Sequence, residues 1–247
     1  MKVGLFIPCY IDQFYPQVGI ASLQLLEKLG VEVHFPENQT CCGQPLCNAG
    51  FESKSHSASQ HFVNTFAEFD YIVTPSGSCA LHVQEHFSSI PQTKAVQKVR
   101  KNTKELCEFL VDVLGIEKIE AHFPHKIGLH QSCHGLRGLH LAKSSELVGK
   151  PFSKIESLLK LVSGLELVEL NKRDECCGFG GTFAIDEPEL SAKMGKDRLQ
   201  DHAQNGAEYI TSVDMSCLMH LDGLLKKQGS NLKVIHVAEI LNGGIGE

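Results

Sequence analysis

The sequence contains no tryptophan, and aromatic residues occupy only 7% of its 247 positions. Acidic residues outnumber lysine and arginine, 29 against 23, and no long basic run occurs. Proteins that bind nucleic acids neutralise phosphates with clustered basic side chains and often stack bases on aromatic rings. The composition therefore argues against a nucleic-acid-binding protein.

Long hydrophobic runs are also missing. No segment reaches the roughly 20 apolar residues that a membrane-spanning helix needs. The first residues, KVGLFIP, are short and apolar, stop at Pro8, and lack the small-residue cleavage site of an export signal. We expect them to form a strand, and we expect a cytoplasmic protein without a membrane-spanning segment. Peripheral association with a membrane stays open.

Ten cysteines are present, and two pairs of them are adjacent and followed by glycine. In a reducing compartment such cysteines act as metal ligands, catalytic groups or small buried residues, and a disulfide framework is disfavoured. The segments ENQTCCGQPLC and KRDECCGFGGT carry the two pairs, at 41–42 and 176–177. Two pairs in a matching context call for a shared chemical reason.

The chain repeats itself. KVGLFIPC at 2–9 matches KIGLHQSC at 126–133, and each is followed by a helical pattern, a short strand, a cysteine pair, a second helix, a third strand and one more cysteine. The helical patterns lie at 19–30, 58–69, 152–164 and 187–205, and the further strands at 31–36, 70–75, 165–170 and 208–213. Strands that alternate with helices predict a parallel sheet with right-handed crossovers.

Residues 232–241 add a fourth strand and a short helix to the second half, whereas 94–114 indicate one long amphipathic helix in the first. We predict an α/β protein of two similar Rossmann-like halves related by pseudo-two-fold symmetry, each a small parallel sheet flanked by helices. The boundary falls near 115–125, giving repeats over 1–120 and 121–247.

Eight cysteines recur at matching positions, each just after a predicted strand. Loops at the carboxyl ends of parallel strands meet at one edge of the sheet. We therefore expect two quartets of thiols, each around one object, and a multi-metal cluster suits four thiols from three loops better than one ion. The quartets are Cys9, Cys41, Cys42 and Cys79, and Cys133, Cys176, Cys177 and Cys217.

The two remaining cysteines do not recur. Cys107 lies inside a predicted helix and is interpreted as a buried apolar residue, and Cys47 is undecided with the same role favoured. The segment CGFGGTF at 177–183 is only a weak indication of a phosphate or flavin loop, because the strand and helix context of such a loop is missing. Close packing of the backbone on a cluster explains its glycines equally well.

Several histidines accompany the quartets. His130 and His134 flank Cys133, and either proton transfer, hydrogen bonding to the site or simple proximity would explain them. His82 and His220 each lie three residues after the last cysteine of their quartet, within reach of it on the first helical turn. His86 follows one turn later.

The double pattern of Cys, Cys-Cys-Gly and a final Cys resembles the CCG or cysteine-rich domain family, which includes a subunit of heterodisulfide reductase and the iron–sulfur subunit of glycolate oxidase. The resemblance covers essentially the whole chain. The segments LLEKLGVEVHFPENQTCCGQP, TPSGSC, ECCGFGGTF and VDMSCLMHL are most similar to the lactate-utilisation branch of that family.

This resemblance implies an iron–sulfur electron-transfer subunit of a complex that oxidises L-lactate, or a related 2-hydroxy acid, to pyruvate with two partner proteins. It implies that the eight recurring cysteines hold the cofactor, a [4Fe-4S] cluster, one or two per chain. Zinc in one site, or as a replacement in isolated protein, stays possible. No residue is assigned as catalytic.

The chain departs from the fullest family motif, which ends in Cys-x-x-Cys. Ser76 and Asp214 stand at the first of those two positions. They are candidates for an oxygen ligand, and the favoured interpretation is a turn residue or helix N-cap.

Two alternatives to electron transfer remain. The first is a zinc-binding structural protein, although the long spacing between the cysteines is not typical of zinc. The second is a thiol–disulfide reductase that uses the adjacent cysteines, which the strain of a vicinal disulfide disfavours.

Overall fold

The computed structural model describes residues 1–243 and contains eight β-strands in two four-stranded sheets, all of whose strand pairs are parallel. The first sheet lies in the N-terminal half of the chain and the second in the C-terminal half. The strands are β1 (Lys2–Leu5), β2 (Glu32–His34), β3 (Tyr71–Thr74), β4 (Thr103–Glu105), β5 (Lys126–Leu129), β6 (Glu166–Leu167), β7 (Tyr209–Ser212) and β8 (Lys233–His236).

The two sheets have the same topology. Their strand orders are β2-β1-β3-β4 and β6-β5-β7-β8. Register is preserved as well, because Val3 pairs with Tyr71 in the first half and Ile127 with Tyr209 in the second. The predicted α/β fold of two similar halves, each a parallel sheet flanked by helices, is confirmed.

Among residues 1–243, twelve α-helices connect or flank the strands, and short π-helical turns lie at 82–86, 109–113 and 134–138. The helices are α1 (Cys9–Phe14), α2 (Pro16–Lys28), α3 (Gln44–Asn48), α4 (Glu52–Phe66), α5 (Gly77–Leu81), α6 (Lys94–Asn102), α7 (Leu106–Glu108), α8 (Lys154–Leu159), α9 (Phe183–Asp186), α10 (Pro188–Gln204), α11 (Met215–Gln228) and α12 (Val237–Leu241).

The prediction of one long helix over 94–114 is wrong. Helix α6 ends at Asn102, and β4 follows at once, with Thr103 paired to Ile72 of β3. The apolar residues Val96, Val99, Leu106 and Leu110 keep a helical spacing across this strand, so the sequence pattern does not reveal it. Pairing with β3 imposes the extended conformation on three residues.

Both halves share one hydrophobic core. Its buried residues come from each sheet and from the linking segment, and α2 of the first half packs against α12 of the second. Lys28 at the end of α2 donates to the Asn242 carbonyl at 2.9 Å. Within 1–243, no helix combines the length and apolarity required to cross a membrane.

Helix α4 lies directly on β1 at Gly4. A Cβ atom added to Gly4 would lie 2.7 Å from Cδ2 of Phe69 and 2.9 Å from Cδ1 of Phe66. Such separations are shorter than van der Waals contact, so the two rings approach the strand only because residue 4 lacks a side chain.

We expect Gly4→Ala to lower the free energy of unfolding by about 1–3 kcal/mol through overpacking. Gly223→Ala is the matched control. Gly223 lies within α11 with no atom near an added Cβ, so that substitution should raise stability by about 0.5–1 kcal/mol. Urea denaturation of the metal-free chain measures both, and equal stability of the two variants would contradict this packing.

Candidate metal centres

The repeated cysteines reach one edge of each sheet through loops that follow its strands. In the first half, Cys9 begins α1 after β1, the pair Cys41-Cys42 follows β2, and Cys79 lies in α5 after β3. Each cysteine pair ends at a glycine in the left-handed region, with φ +91° at Gly43 and φ +88° at Gly178. A backbone turn at this glycine redirects the chain directly after the pair, and residues with a Cβ rarely adopt it.

In the first quartet the thiols lie in two close pairs. The sulfur atoms of Cys9 and Cys41 are 3.9 Å apart, and those of Cys42 and Cys79 are 3.5 Å apart. The Gly43 amide donates to the Cys41 sulfur at 3.4 Å. Cys42 and Cys79 are buried, so the quartet sits partly inside the protein.

The second quartet repeats this arrangement. The Gly178 amide donates to the Cys176 sulfur at 3.3 Å, and Cys177 is buried like Cys42. Ligand atoms of His130, Cys177 and Cys217 lie within 4.8 Å of one another. A histidine thus approaches two thiols of the second quartet.

Hydrogen bonds within each quartet favour one thiolate. Donation from Cys42, then from Cys9, holds the pKa of the Cys41 thiol far below its usual range, and donation from Cys133, then from Cys177, does the same for Cys176. Each quartet therefore presents one ready thiolate, which is the form that binds metals.

Both quartets line a single cavity of about 510 Å³. Its wall contains all eight recurring cysteines together with Tyr10 and Phe179, whose ring centroids are 6.2 Å apart across the two halves. The sequence-predicted site residues are therefore brought together in one place. Cysteine recurrence predicts each quartet, but it does not predict that the two quartets share a cavity.

The donor set fits an iron–sulfur cluster in each half. Such clusters are held by four cysteine thiolates and accept hydrogen bonds from backbone amides, as the amides of Gly43 and Gly178 would provide. A tetrahedral zinc ion with bonds of about 2.3 Å would require all its sulfurs within roughly 3.8 Å of one another. Across residues 1–243, no three thiols of the first quartet lie within 4.8 Å of one another. The quartet as a whole is wider than one ion requires.

Ser76 and Asp214 connect the two halves through hydrogen bonds. Ser76 is the N-cap of α5 and accepts from the Cys79 amide at 3.3 Å. Its hydroxyl donates to Oδ1 of Asp214 at 3.0 Å, and the Ser78 amide donates to the same oxygen at 2.9 Å. Asp214 makes no capping bond to its own helix α11. The N-cap prediction is confirmed for Ser76, and Asp214 bridges to the other half.

The histidines after each quartet occupy matching positions. His82 lies close to the backbone carbonyl of Cys42, and His220 lies close to that of Cys177. These two cysteines are the buried members of the two cysteine pairs. Burial lowers the pKa of His82 to about 4, so its ring is neutral at pH 7. Their shared three-residue spacing from the last cysteine therefore predicts their closeness to the quartets. His86 stacks on His82 with ring centroids 5.2 Å apart.

The histidines around Cys133 differ from each other. His134 lines the shared cavity. His130 is buried, and neither of its ring nitrogens has a hydrogen-bond partner among the described residues. Burial, followed by the charge of Arg198, lowers the pKa of His130 to about 3.

Cysteines outside the quartets take other roles. Cys107 is fully buried in the shared core, as predicted. Cys47 lies 3.1 Å from the Ser55 hydroxyl and does not line the cavity. Sequence reasoning missed Arg198, which lies behind the second quartet and is fully buried. Aligning the corresponding helices of the two repeats would have revealed Arg198.

Comparison with known proteins agrees with this geometry. Residues 3–84 and 127–222 match the family described as the cysteine-rich domain, CCG. The chain belongs to this family. Each matched stretch contains one of the CCG quartets.

Relatives of similar length carry names from lactate metabolism. The chain is 41% identical to lactate utilization protein A 1 of Bacillus mycoides, and the match covers 98% of this chain and 97% of that protein. It is 42% identical to lactate utilization protein A of a Geobacillus species, covering 98% and 99%. It is 41% identical to the protein of the same name from Shouchella clausii, again covering 98% and 99%.

The bridge between the CCG repeats provides a test. Asp214→Ala removes an acceptor of two hydrogen bonds and leaves the Ser78 amide without its partner, so we expect a loss of about 2–4 kcal/mol in the free energy of unfolding. Asp222→Ala in the same helix removes an ion pair with the exposed Lys226 and should cost less than about 0.5 kcal/mol.

Urea denaturation of the metal-free chain measures these changes, and an Asp214→Ala effect as small as that of the control would contradict the bridge. Asp214→Asn keeps an acceptor oxygen and should retain the metal content of the parent chain. A loss of metal in that variant would show that Asp214 is a ligand.

Proposed function

We propose that this protein is the iron–sulfur electron-transfer subunit of a system that oxidises L-lactate, or a related 2-hydroxy acid, to pyruvate. The observation that carries the proposal is the shared cavity, whose wall contains four recurring thiols from each half. The names of the relatives support the assignment to lactate utilisation.

In this proposal each quartet holds one [4Fe-4S] cluster, which supplies one-electron transfer when bound. The chain's own contribution is a set of thiolate ligands, amide donors at Gly43 and Gly178, and partial burial. Hydrogen bonds to sulfur and exclusion of solvent are the factors by which proteins set cluster potentials. The proposed ligands are Cys9, Cys41, Cys42, Cys79, Cys133, Cys176, Cys177 and Cys217.

Oxidation of the hydroxy acid itself is assigned to a partner. A 2-hydroxy acid carries a carboxylate, which proteins usually bind with arginine or lysine. Among residues 1–243, no arginine, lysine, aspartate or glutamate lines the cavity. Within the same described range His134 is its one histidine, so an acid–base pair is missing there as well. We therefore place this chain beside two partner proteins, in the cytoplasm, where reducing conditions keep thiols available.

A zinc-binding structural protein is the second candidate. The sulfur separations of 3.9 Å and 3.5 Å within the pairs match the edges of a zinc tetrahedron. Among residues 1–243, no three thiols of the first quartet lie within 4.8 Å of one another, which favours the larger core.

Metal analysis with ligand variants tests the proposal. Anaerobically purified chain should contain iron and sulfide, about eight of each for two [4Fe-4S] clusters, and absorb near 400 nm. Cys42→Ala and Cys177→Ala should each lose about half of the iron, because each removes a ligand from one quartet. Cys107→Ala is the matched control, since that buried thiol lies in the core away from the cavity, and it should keep the iron of the parent.

Zinc in place of iron, without colour, would contradict the proposal and favour the structural alternative. Iron loss in Cys107→Ala equal to that of the ligand variants would also contradict it.

A second experiment tests the subunit role. L-lactate alone should leave the colour of the purified chain unchanged, whereas lactate with an extract of lactate-grown cells should bleach it. Bleaching by lactate without partners would overturn the assignment of substrate oxidation to another protein.

A further inference from the structure

The two quartets have different surroundings although their folds match. Gly43 packs on Ser55 and Ala58 of α4, and Gly178 packs on Ser191 and Met194 of α10. These contacts align the two helices with a constant offset of 136 residues. The same offset relates Phe66, which contacts Gly4 of β1, to His202, which contacts Gly128 of β5.

This alignment places Phe62 of the first half opposite Arg198 of the second. Phe6 and His130 also correspond, because their amides donate to equivalent carbonyls of Val73 and Thr211 at 2.9 Å and 2.8 Å. Two phenylalanines of the first repeat therefore correspond to an arginine and a histidine in the second.

Behind the first quartet, at the positions that match Arg198 and His130, the packing is aromatic. Phe6 and Phe62 have ring centroids 4.9 Å apart, and Phe62 and Phe66 have centroids 4.6 Å apart. Cys42 and Cys79 belong to the same buried cluster as these rings.

Behind the second quartet lies a buried guanidinium. Arg198 has no exposed surface, and its Nη1 atom donates to the Lys172 carbonyl and to Asp201 Oδ2, the latter at 3.2 Å. Its Nε and Nη2 atoms have no partner among the described residues. Asp201 is also occupied by the amides of Asn171 and Lys172, each at 3.1 Å.

The position of Arg198 along α10 relates its charge to the second quartet. Met194 and Gly195 contact the Cys177–Gly178 loop, whereas Asp201 contacts the loop at 171–172. Along the helix, Arg198 therefore lies between the residues that contact the loop of the second quartet and its counter-ion Asp201. The charges of Asp201 and then Glu175 oppose the effect of burial on the Arg198 pKa, and a thiolate at Cys177, the form that a metal would bind, would act in the same direction.

From this asymmetry we infer that Arg198 gives the metal centre of the second half a higher reduction potential than that of the first. The inference rests on the proposed iron–sulfur function. Reduction adds negative charge to a cluster, and a buried cation stabilises that charge far more than an exposed one does. An electron in the first half would then pass to the second, oxidising the first centre and reducing the second.

Redox titration followed by electron paramagnetic resonance tests the inference on the iron-loaded chain. The parent should show two midpoint potentials. Cys177→Ala should retain only the lower and Cys42→Ala only the higher. Arg198→Met should lower the equilibrium constant for reduction of the second centre tenfold or more. This corresponds to a fall of about 59 mV in the higher potential for one electron, and the lower potential should not change.

Three further variants control for structural damage. Arg198→Lys keeps the positive charge. Its equilibrium constant for reduction of the second centre should stay within about threefold of the parent value. Asp201→Asn removes the counter-charge and should shift the same potential upward. Lys196→Met removes one positive charge from the exposed side of α10 and should move neither potential, because solvent and salt screen that charge.

The inference is overturned if Arg198→Met moves neither potential, moves both equally, or if the higher potential belongs to the first half. If Arg198→Met does not fold, the direction of the Asp201→Asn shift decides. A parent chain without iron and sulfide overturns the proposed function itself, whereas two intact centres with unmoved potentials overturn only the role of Arg198.

Discussion

Parallel pairing of short strands is the constraint on which the site depends. Because β1, β2 and β3 run in the same direction, the loops that follow them leave the same edge of the sheet. The second sheet repeats this arrangement with β5, β6 and β7. Thiols that are more than thirty residues apart in sequence thereby reach one cavity, and the glycine after each cysteine pair allows the sharp turn there.

The hydrogen bonds of Asp214 add a second constraint. This buried carboxylate accepts from a hydroxyl and an amide of the opposite half, directly beside Cys79. The Gly77 amide also donates to the Val213 carbonyl at 3.2 Å. These contacts, in addition to the shared core, therefore join the halves at the edge where the two quartets meet.

The two halves have equivalent folds but different side chains behind their quartets. Phe62 and Arg198 occupy matching positions, as do Phe66 and His202, so the repeats keep backbone and ligands but exchange the side chains behind them. Burying a guanidinium costs free energy, which Asp201 and the Lys172 carbonyl offset only in part, since two of its nitrogens remain without partners among the described residues. Its contacts hold the loop at 171–172 on α10, and the inferred tuning of the neighbouring centre gives a reason for the two remaining nitrogens.

Much of the fold could be predicted because the signals are local and repeated. The cysteine pairs, the alternating strands and helices, and the spacing of His82 and His220 all recur between the halves. Strand β4 could not be predicted, because its three residues interrupt a helical pattern only through pairing with β3. The sequence also does not predict that the two sheet edges face each other across Ser76 and Asp214, because this depends on how two separate sheets pack.

Anomalous scattering at the iron edge, from crystals grown without oxygen, is the most direct measurement of the central claim. We predict two iron peaks in the shared cavity, one bounded by Cys9, Cys41, Cys42 and Cys79 and the other by the corresponding cysteines of the second half. Peaks at the zinc edge alone, or iron that contacts neither quartet, would contradict the account.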